Sequence, residues 1–211
     1  MRLPRHLVMQ SLLLLSIAAG PRPAVAASDV RISEFMAGPA RDWEGNGTFS
    51  SRDDEWIEIV NGGSAVADLT PYFITDGDSV PRFGLTGTLA PGAVVLVTGG
   101  QSVTWERATG HPVFGLSLGN TGDKVLLWKV TGSDTTLVDG YTYKTQEAAS
   151  DRAMGRTADG TDWKLEDALN PYTGTTPPLG TGCPPTPGAP NDCGVTPVAH
   201  ETWGRLKALY R

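Results

Sequence analysis

Three glutamates, one serine and two pairs of aspartates are the residues of this chain whose type and spacing could do chemistry. Glu34, Glu55 and Glu58 would suit glycoside hydrolysis if two of them were held at a fixed separation across a cleft, with Trp43 and Trp56 stacking sugars. The sequence offers no cleft-building segment, and a carboxylate at a strand edge or turn readily accepts backbone amides instead; that is the favoured reading. Gly115-Leu116-Ser117-Leu118-Gly119 fits G-x-S-x-G, whose mechanism needs a strand, a sharp turn carrying the serine and then a helix. A polar turn and a strand follow here, and the only histidine after the serine is His200, near the end of the chain. The motif reads as a turn rich in small residues. Arg52-Asp53-Asp54-Glu55 and Asp76-Gly77-Asp78-Ser79 are acidic loops. Ca²⁺ wants six to eight oxygens, and neither loop carries the full D-x-D-x-D-G…E pattern. Asp53, Asp54, Asp76 and Asp78 remain candidates for a Ca²⁺ site assembled from separate loops, with solvated turns as the simpler reading. No catalytic residue is assigned, and no cofactor other than that Ca²⁺.

The first residues name a compartment. Arg2 and Arg5 precede an apolar run from Leu7 to Ile17, followed by Gly20, Pro21 and Ala24-Val25-Ala26. This pattern predicts a secretory signal peptide over 1–26, cleaved between Ala26 and Ala27. The apolar run is too short to span a bilayer, and no second membrane candidate follows. The competing reading is a buried N-terminal helix. In an oxidising space an even cysteine count implies a disulfide, here Cys183–Cys193; a metal site would need more ligands than that segment holds, where only Asp192 is near. The formal net charge of the chain is −6. Loss of Arg2, Arg5 and Arg22 with the leader takes it to −9. Such an acidic surface repels phosphate backbones and argues against nucleic acid as a partner. Asn46-Gly47-Thr48 is a glycosylation sequon, relevant only in a host that modifies exported proteins.

The chain holds 26 Gly and 16 Pro and few long helix-forming runs, which points to a turn-rich all-β domain. Strands are expected at Val30 to Met36, Glu55 to Val60, Tyr72 to Thr75, Ala93 to Thr98, Asp123 to Val130 and Thr135 to Tyr143, with a short one near Trp163. Thr131-Gly132-Ser133-Asp134 reads as the turn of a hairpin. Ile57 and Ile59 point inward. Val125-Leu126-Leu127-Trp128 is apolar on both sides, as in a central strand of a sandwich. Seven to nine strands with no helix between them favour a two-sheet β-sandwich. Gly38 to Asp54 reads as a polar surface insertion. Asn170 to Pro197 reads as an extended, poorly packed segment stapled by the cysteines.

Several blocks of the chain together resemble a known family. They are Val30-Arg31-Ile32-Ser33-Glu34-Phe35, Glu55-Trp56-Ile57-Glu58-Ile59-Val60-Asn61, Val66-Ala67-Asp68-Leu69, Phe73-Ile74-Thr75-Asp76, Leu89-Ala90-Pro91-Gly92, Leu116 to Asp123, Val138 to Tyr143, and Pro187-Gly188-Ala189-Pro190-Asn191. In order and spacing they resemble the lamin tail domain family, an immunoglobulin-like module that also occurs in exported bacterial proteins. The resemblance runs over roughly residues 28–193. It departs in the Gly38–Asp54 insertion, in Tyr72 where Trp is common, and in the cysteine pair. It implies an immunoglobulin-like two-sheet β-sandwich with a binding or scaffolding role and no catalytic centre.

The last residues, Glu201 to Arg211, place Trp203, Leu206, Leu209 and Tyr210 on one helical face, beside Arg205, Lys207 and Arg211. They read either as a terminal helix packed on the sandwich or as a docking tag for an envelope component. The expected organisation is a leader at 1–26, the sandwich at 27–194 with a disulfide-stapled end from 170, and a linker and tail at 195–211. The expected role is a secreted binding, adhesion or scaffolding module, contacting a protein or cell-surface component through its loops and sheet edges. A Ca²⁺-stabilised structural module and a carboxylate-dependent hydrolase are the alternatives.

Overall fold

The computed structural model describes residues 29–193. The expected leader, its Ala26–Ala27 junction and the tail residues Trp203, Leu206, Leu209 and Tyr210 lie outside the described residues. Within them the chain forms β1 (Val30–Met36), β2 (Trp56–Asn61), β3 (Ala67–Asp68), β4 (Tyr72–Thr75), β5 (Pro81–Gly84), β6 (Thr88–Leu89), β7 (Val94–Thr98), α1 (Gly99–Thr109), β8 (Gly122–Thr131), β9 (Asp134–Lys144), β10 (Ala153–Arg156) and β11 (Trp163–Glu166). A five-stranded antiparallel sheet runs in the order β11-β10-β1-β2-β7, and a four-stranded one in the order β5-β4-β8-β9. β3 and β6 pair with each other. This is the immunoglobulin-like sandwich expected from the sequence, with extra short strands that composition alone did not resolve.

Alternation decides which residues meet between the layers. Ile57 and Ile59 of β2, Val97 of β7, Met154 of β10 and Leu165 of β11 face Ile74 of β4, Val125 and Leu127 of β8 and Tyr143 of β9 in one buried cluster. Ile32 and Phe35 of β1 join it from positions three apart. A bulge between Ile32 and Glu34 lets both point inward where strict alternation would send one out. Burying each such side chain contributes about 1.5–3 kcal/mol. The β8–β9 hairpin forms where expected; Gly132 takes φ 62°, the positive value that short hairpin loops call for.

The helix α1 corrects the expectation of no helix between strands. Gly99-Gly100 resembled a strand-ending turn. They are instead the first residues of α1, capped by Thr98, whose side chain accepts from the Gln101 amide while the Gln101 side chain accepts from the Thr98 amide. That is a capping box. The glycines are there for space: a Cβ at Gly99 would sit 1.9 Å from the Arg52 carbonyl oxygen, and one at Gly100 2.2 Å from Glu44 Oε1. The buried face of α1 is Gly99, Ser102, Val103 and Glu106, so no apolar stripe advertises a helix. Polar bonds hold it: Ser102 Oγ donates to the Arg82 carbonyl at 2.7 Å, and Glu106 Oε2 accepts the amides of Phe114 and Gly115, both at 2.8 Å.

One corner ties the sheets to each other. The Asp139 carboxylate on β9 accepts the Ile32 amide at 2.9 Å and Arg156 Nη2 at 2.5 Å. Arg156 also donates to the Ile32 carbonyl at 2.8 Å and lies over the Trp163 ring at 4.4 Å. The bulge in β1 frees the Ile32 amide for this contact. Asp139→Ala is expected to lower unfolding free energy by about 1–3 kcal/mol, the cost of leaving a buried amide and a guanidinium unmatched. Urea unfolding of both proteins measures it, and an unchanged midpoint would refute the corner's role.

Candidate functional site

Glu34 of β1 and Glu58 of β2 stand directly opposite each other, on the side of the five-stranded sheet away from the core. Both are fully buried, because residues 183–191 cross over them. Thr186 donates its amide to Glu34 Oε1 at 2.9 Å and its hydroxyl to Oε2 at 2.6 Å. The Gly188 amide donates to Glu58 Oε2 at 2.8 Å, and Ser33 Oγ to Glu58 Oε1 at 2.5 Å. Asn191 Nδ2 donates to the carbonyls of Ser33 and Arg156, at 2.8 and 3.0 Å. Cys183 and Cys193 are joined by a disulfide, which closes the crossing segment into a ring. The stretch expected to be poorly packed is therefore a strap, held by two carboxylates that sit under it. Beside Glu34 lies Glu166, whose partner Lys164 is at 3.1 Å. Burial, and then Glu166, push the Glu34 carboxyl up to about 10; burial also raises Glu58.

Glu55 lies apart from this pair. Its Oε2 accepts the Leu118 amide at 3.1 Å, and burial pushes its carboxyl up to about 8. It thus supports the Gly115–Gly119 turn. Ser117 takes φ 60° and Gly115 φ 76° in that turn, and β8 follows, with no helix of the kind a nucleophile elbow requires. His111, the one histidine among the described residues, packs on the Trp105 ring at 4.6 Å and meets Thr109 Oγ1 through Nδ1 at 2.8 Å. The three glutamates do not converge on a common space.

The acidic loops are tied to their own surroundings. Asp54 accepts the amides of Trp43, Glu44 and Ser50 at 2.7, 2.8 and 2.7 Å. Asp53 pairs with Arg52 at 2.7 Å. Asp76 and Asp78 hold the buried Arg82 guanidinium at 2.9 and 2.6 Å. Among the described residues no group of three or more His, Cys, Asp or Glu side chains gathers as a metal would need. Sugar stacking by Trp56 is overturned, and Trp43 is left without the partner ring that such a pair would need. Trp56 is completely buried, and Trp43 packs on it at 6.2 Å with its indole N–H donated to Asp151 at 2.8 Å. The Gly38–Asp54 insertion is pinned to the body by Asp54 and Asp151, because its polar side chains supply the partners that its composition seemed to leave to solvent.

An open groove of about 460 Å³ runs beside the strap. Val60 and Val94 floor it, Pro190 and Asn191 wall one side, and Arg31 and Arg156 supply charge. The Arg31 guanidinium lies in a slot between Gly62 and Gly160, where an added Cβ would come within 2.6 and 2.4 Å of it. Asp29 pairs with it at the rim. The sequence carries no local signal for this groove, since Gly62 and Gly160 lie 31 and 129 positions from Arg31 in the chain.

With this geometry in view, a family model described as Lamin Tail Domain matches residues 23–145. That match ends before β10 and β11, which complete the five-stranded sheet beside β1. No curated protein and no solved structure matches the chain.

Two measurements follow from the buried carboxyls and the bound loops. A carboxyl whose folded value stands above the unfolded value of about 4.3 keeps its proton on folding. Its stabilising contribution is complete below that pH and is lost as pH rises through about 8 for Glu55 and about 10 for Glu34. The wild-type melting midpoint should therefore fall between pH 5 and 9, and fall less in Glu34→Gln, which keeps an acceptor for Thr186; equal slopes would refute this. A chelator should leave the midpoint unchanged, since a ligand bound to the native state would raise it.

Proposed function

This chain belongs to the lamin tail domain family, and from that premise we propose that it is exported and works as a non-enzymatic binding, adhesion or scaffolding module at or outside the cell envelope. The observation that carries the proposal is the fate of its reactive side chains. Glu34, Glu55 and Glu58 are buried, and each accepts protein amides. They are spent on holding a strap and a turn, and no pair of them faces a cavity where a substrate could sit. The family's immunoglobulin-like architecture fits the same conclusion. Such a fold presents loops and sheet surfaces, and binding by it needs only exposed, well-positioned groups.

Export rests on the sequence: the basic start, the apolar run and the A-x-A pattern of residues 1–26, together with a cysteine pair suited to an oxidising space. Among the described residues no helix is long and apolar enough to cross a membrane. The acidic charge disfavours nucleic acid as the partner, which leaves a protein or other cell-surface component. Residues 198–211, with their basic and aromatic side chains, supply an attachment point of opposite charge to the body.

Cell fractionation of the native host tests both parts. The protein is expected with the envelope or medium, and a chain ending at residue 197 should be recovered from the envelope at a clearly lower level. Retention of the full chain in the cytosol would overturn the localisation. Equal recovery of the two chains would overturn the role of the tail.

A further inference from the structure

The outer face of the four-stranded sheet carries a row of side chains that neither the core nor the strap uses. Strand register places Gly84 of β5 opposite Phe73 of β4, Phe73 opposite Trp128 of β8, and Trp128 opposite Leu137 of β9. The row thus crosses all four strands at right angles, over roughly 14 Å. Its far end is extended by Trp105 of α1, whose ring covers Gly84 closely enough that a Cβ there would lie 3.1 Å from it. Phe73, Trp105 and Trp128 are each half-buried, and Leu137 is 52% exposed. The Phe73 and Trp128 rings are nearly parallel, at 12° and 6.4 Å between centroids. Trp128 donates its indole N–H to Thr75 Oγ1 at 3.0 Å. Thr75 is itself buried and lies diagonally adjacent on the same face, so this bond fixes the indole across the sheet. The polar atom of Trp128 is satisfied from within, and its ring is left half-exposed beside that of Phe73.

Cations lie at the end of this same face. Lys124 and Lys144 alternate outward with Leu126 and Trp128, and with Thr142, on β8 and β9; both are exposed. Neither forms an ion pair among the described residues. They line an open groove of about 560 Å³ together with Thr142, Thr145 and Gln146. Asp123 also lines it, but its carboxylate is taken up by the amides of Lys124 and Gly119, at 2.8 and 3.3 Å. Along β8 the step from Trp128 to Lys124 is roughly 13 Å.

We infer that this face is a binding site for an acidic polysaccharide, whose sugar rings stack on Phe73 and Trp128 and whose carboxylates meet Lys124 and Lys144. A pyranose ring presents C–H groups from one face, and the electron-rich face of an aromatic ring attracts them. Two half-exposed rings adjacent in one cross-strand row suit neighbouring sugars of a chain. The charge selects among sugars: two exposed lysines outside any ion pair among the described residues attract an anionic ligand at short range, locally offsetting the net negative charge of the protein. A folded protein partner fits less well, since three half-covered rings and a leucine offer far less than the roughly 800 Å² per side of a stable protein interface. The inference rests on the proposed binding role and names the ligand class for it.

Affinity electrophoresis of the full chain tests it, in gels containing polygalacturonate, alginate or hyaluronan, with methyl-esterified polygalacturonate as the uncharged counterpart. Retardation is expected in at least one acidic gel, weaker in the esterified one, and declining with salt. Trp128→Ala and Phe73→Ala should each weaken binding roughly tenfold. Lys124→Gln with Lys144→Gln should reduce acidic binding to the level of the esterified gel. Melting curves confirm that the variants fold, and the lysine variant, altered only at exposed positions, serves if an aromatic variant does not. No retardation in any acidic gel overturns the inference, as does retardation that Trp128→Ala or the lysine variant leaves unchanged. Recovery of an envelope protein in place of a polysaccharide overturns it too, while leaving the binding role standing. Absence of the chain from both the envelope and the medium overturns the proposed localisation, a result distinct from any outcome in the gels.

Discussion

Two carboxyl groups cannot be buried on the outward side of β1 and β2 unless something donates hydrogen bonds to them, and the course of the chain at that end of the molecule follows from the need. An unmatched buried carboxylate is among the most costly groups a fold can contain. Glu34 and Glu58 take their donors from Thr186 and Gly188, residues that come more than a hundred positions later. The chain must therefore return across the five-stranded sheet after β11. The cysteines then fix that return, and Asn191 seals it by binding carbonyls of both β1 and β10. A single requirement of electrostatics thus explains a segment whose composition suggests no structure.

The same logic recurs on the other layer with a cation. Arg82 is buried between Asp76, Asp78 and Glu106, and the Phe114 ring lies over it at 5.1 Å. It fastens α1 and the 110–115 segment to β5. Between these polar fastenings lies an ordinary apolar interior built by alternation. Division of labour is clear: the interior holds the layers face to face, and charged groups decide which loops and which ends lie against them.

How much of this could be read from the residues depends on the range of the interaction. The β8–β9 hairpin was legible because its alternation and its glycine lie within one stretch. β2 was legible for the same reason, and the disulfide from cysteine count and compartment. α1 was not, because Ser102 and Glu106 replace the apolar stripe that betrays a helix. β5 begins with Pro81 and β10 includes Gly155, so neither resembled a strand. The glutamates were singled out correctly as unusual, yet their partners stand 152 and 130 residues away in the chain, a distance no local pattern encodes. Phe73 and Trp128 each read as strand residues. That they are neighbours is a property of register, which appears only once β4 and β8 are paired.

The ring between Cys183 and Cys193 also divides the fold into a part that needs oxidation and a part that does not. Strand pairing and the apolar interior need no oxidant, so neither layer depends on the thiols being joined. With the thiols free, the ten-residue span above Glu34 and Glu58 is tethered at one end only, and its amides are placed by weak local forces. Once the thiols are oxidised the span loses most of its alternative paths, and the amides of Thr186 and Gly188 are presented to their acceptors in advance. The interior thus stands on its own, and the constraint on the span is added only where electrons can be removed from the thiols.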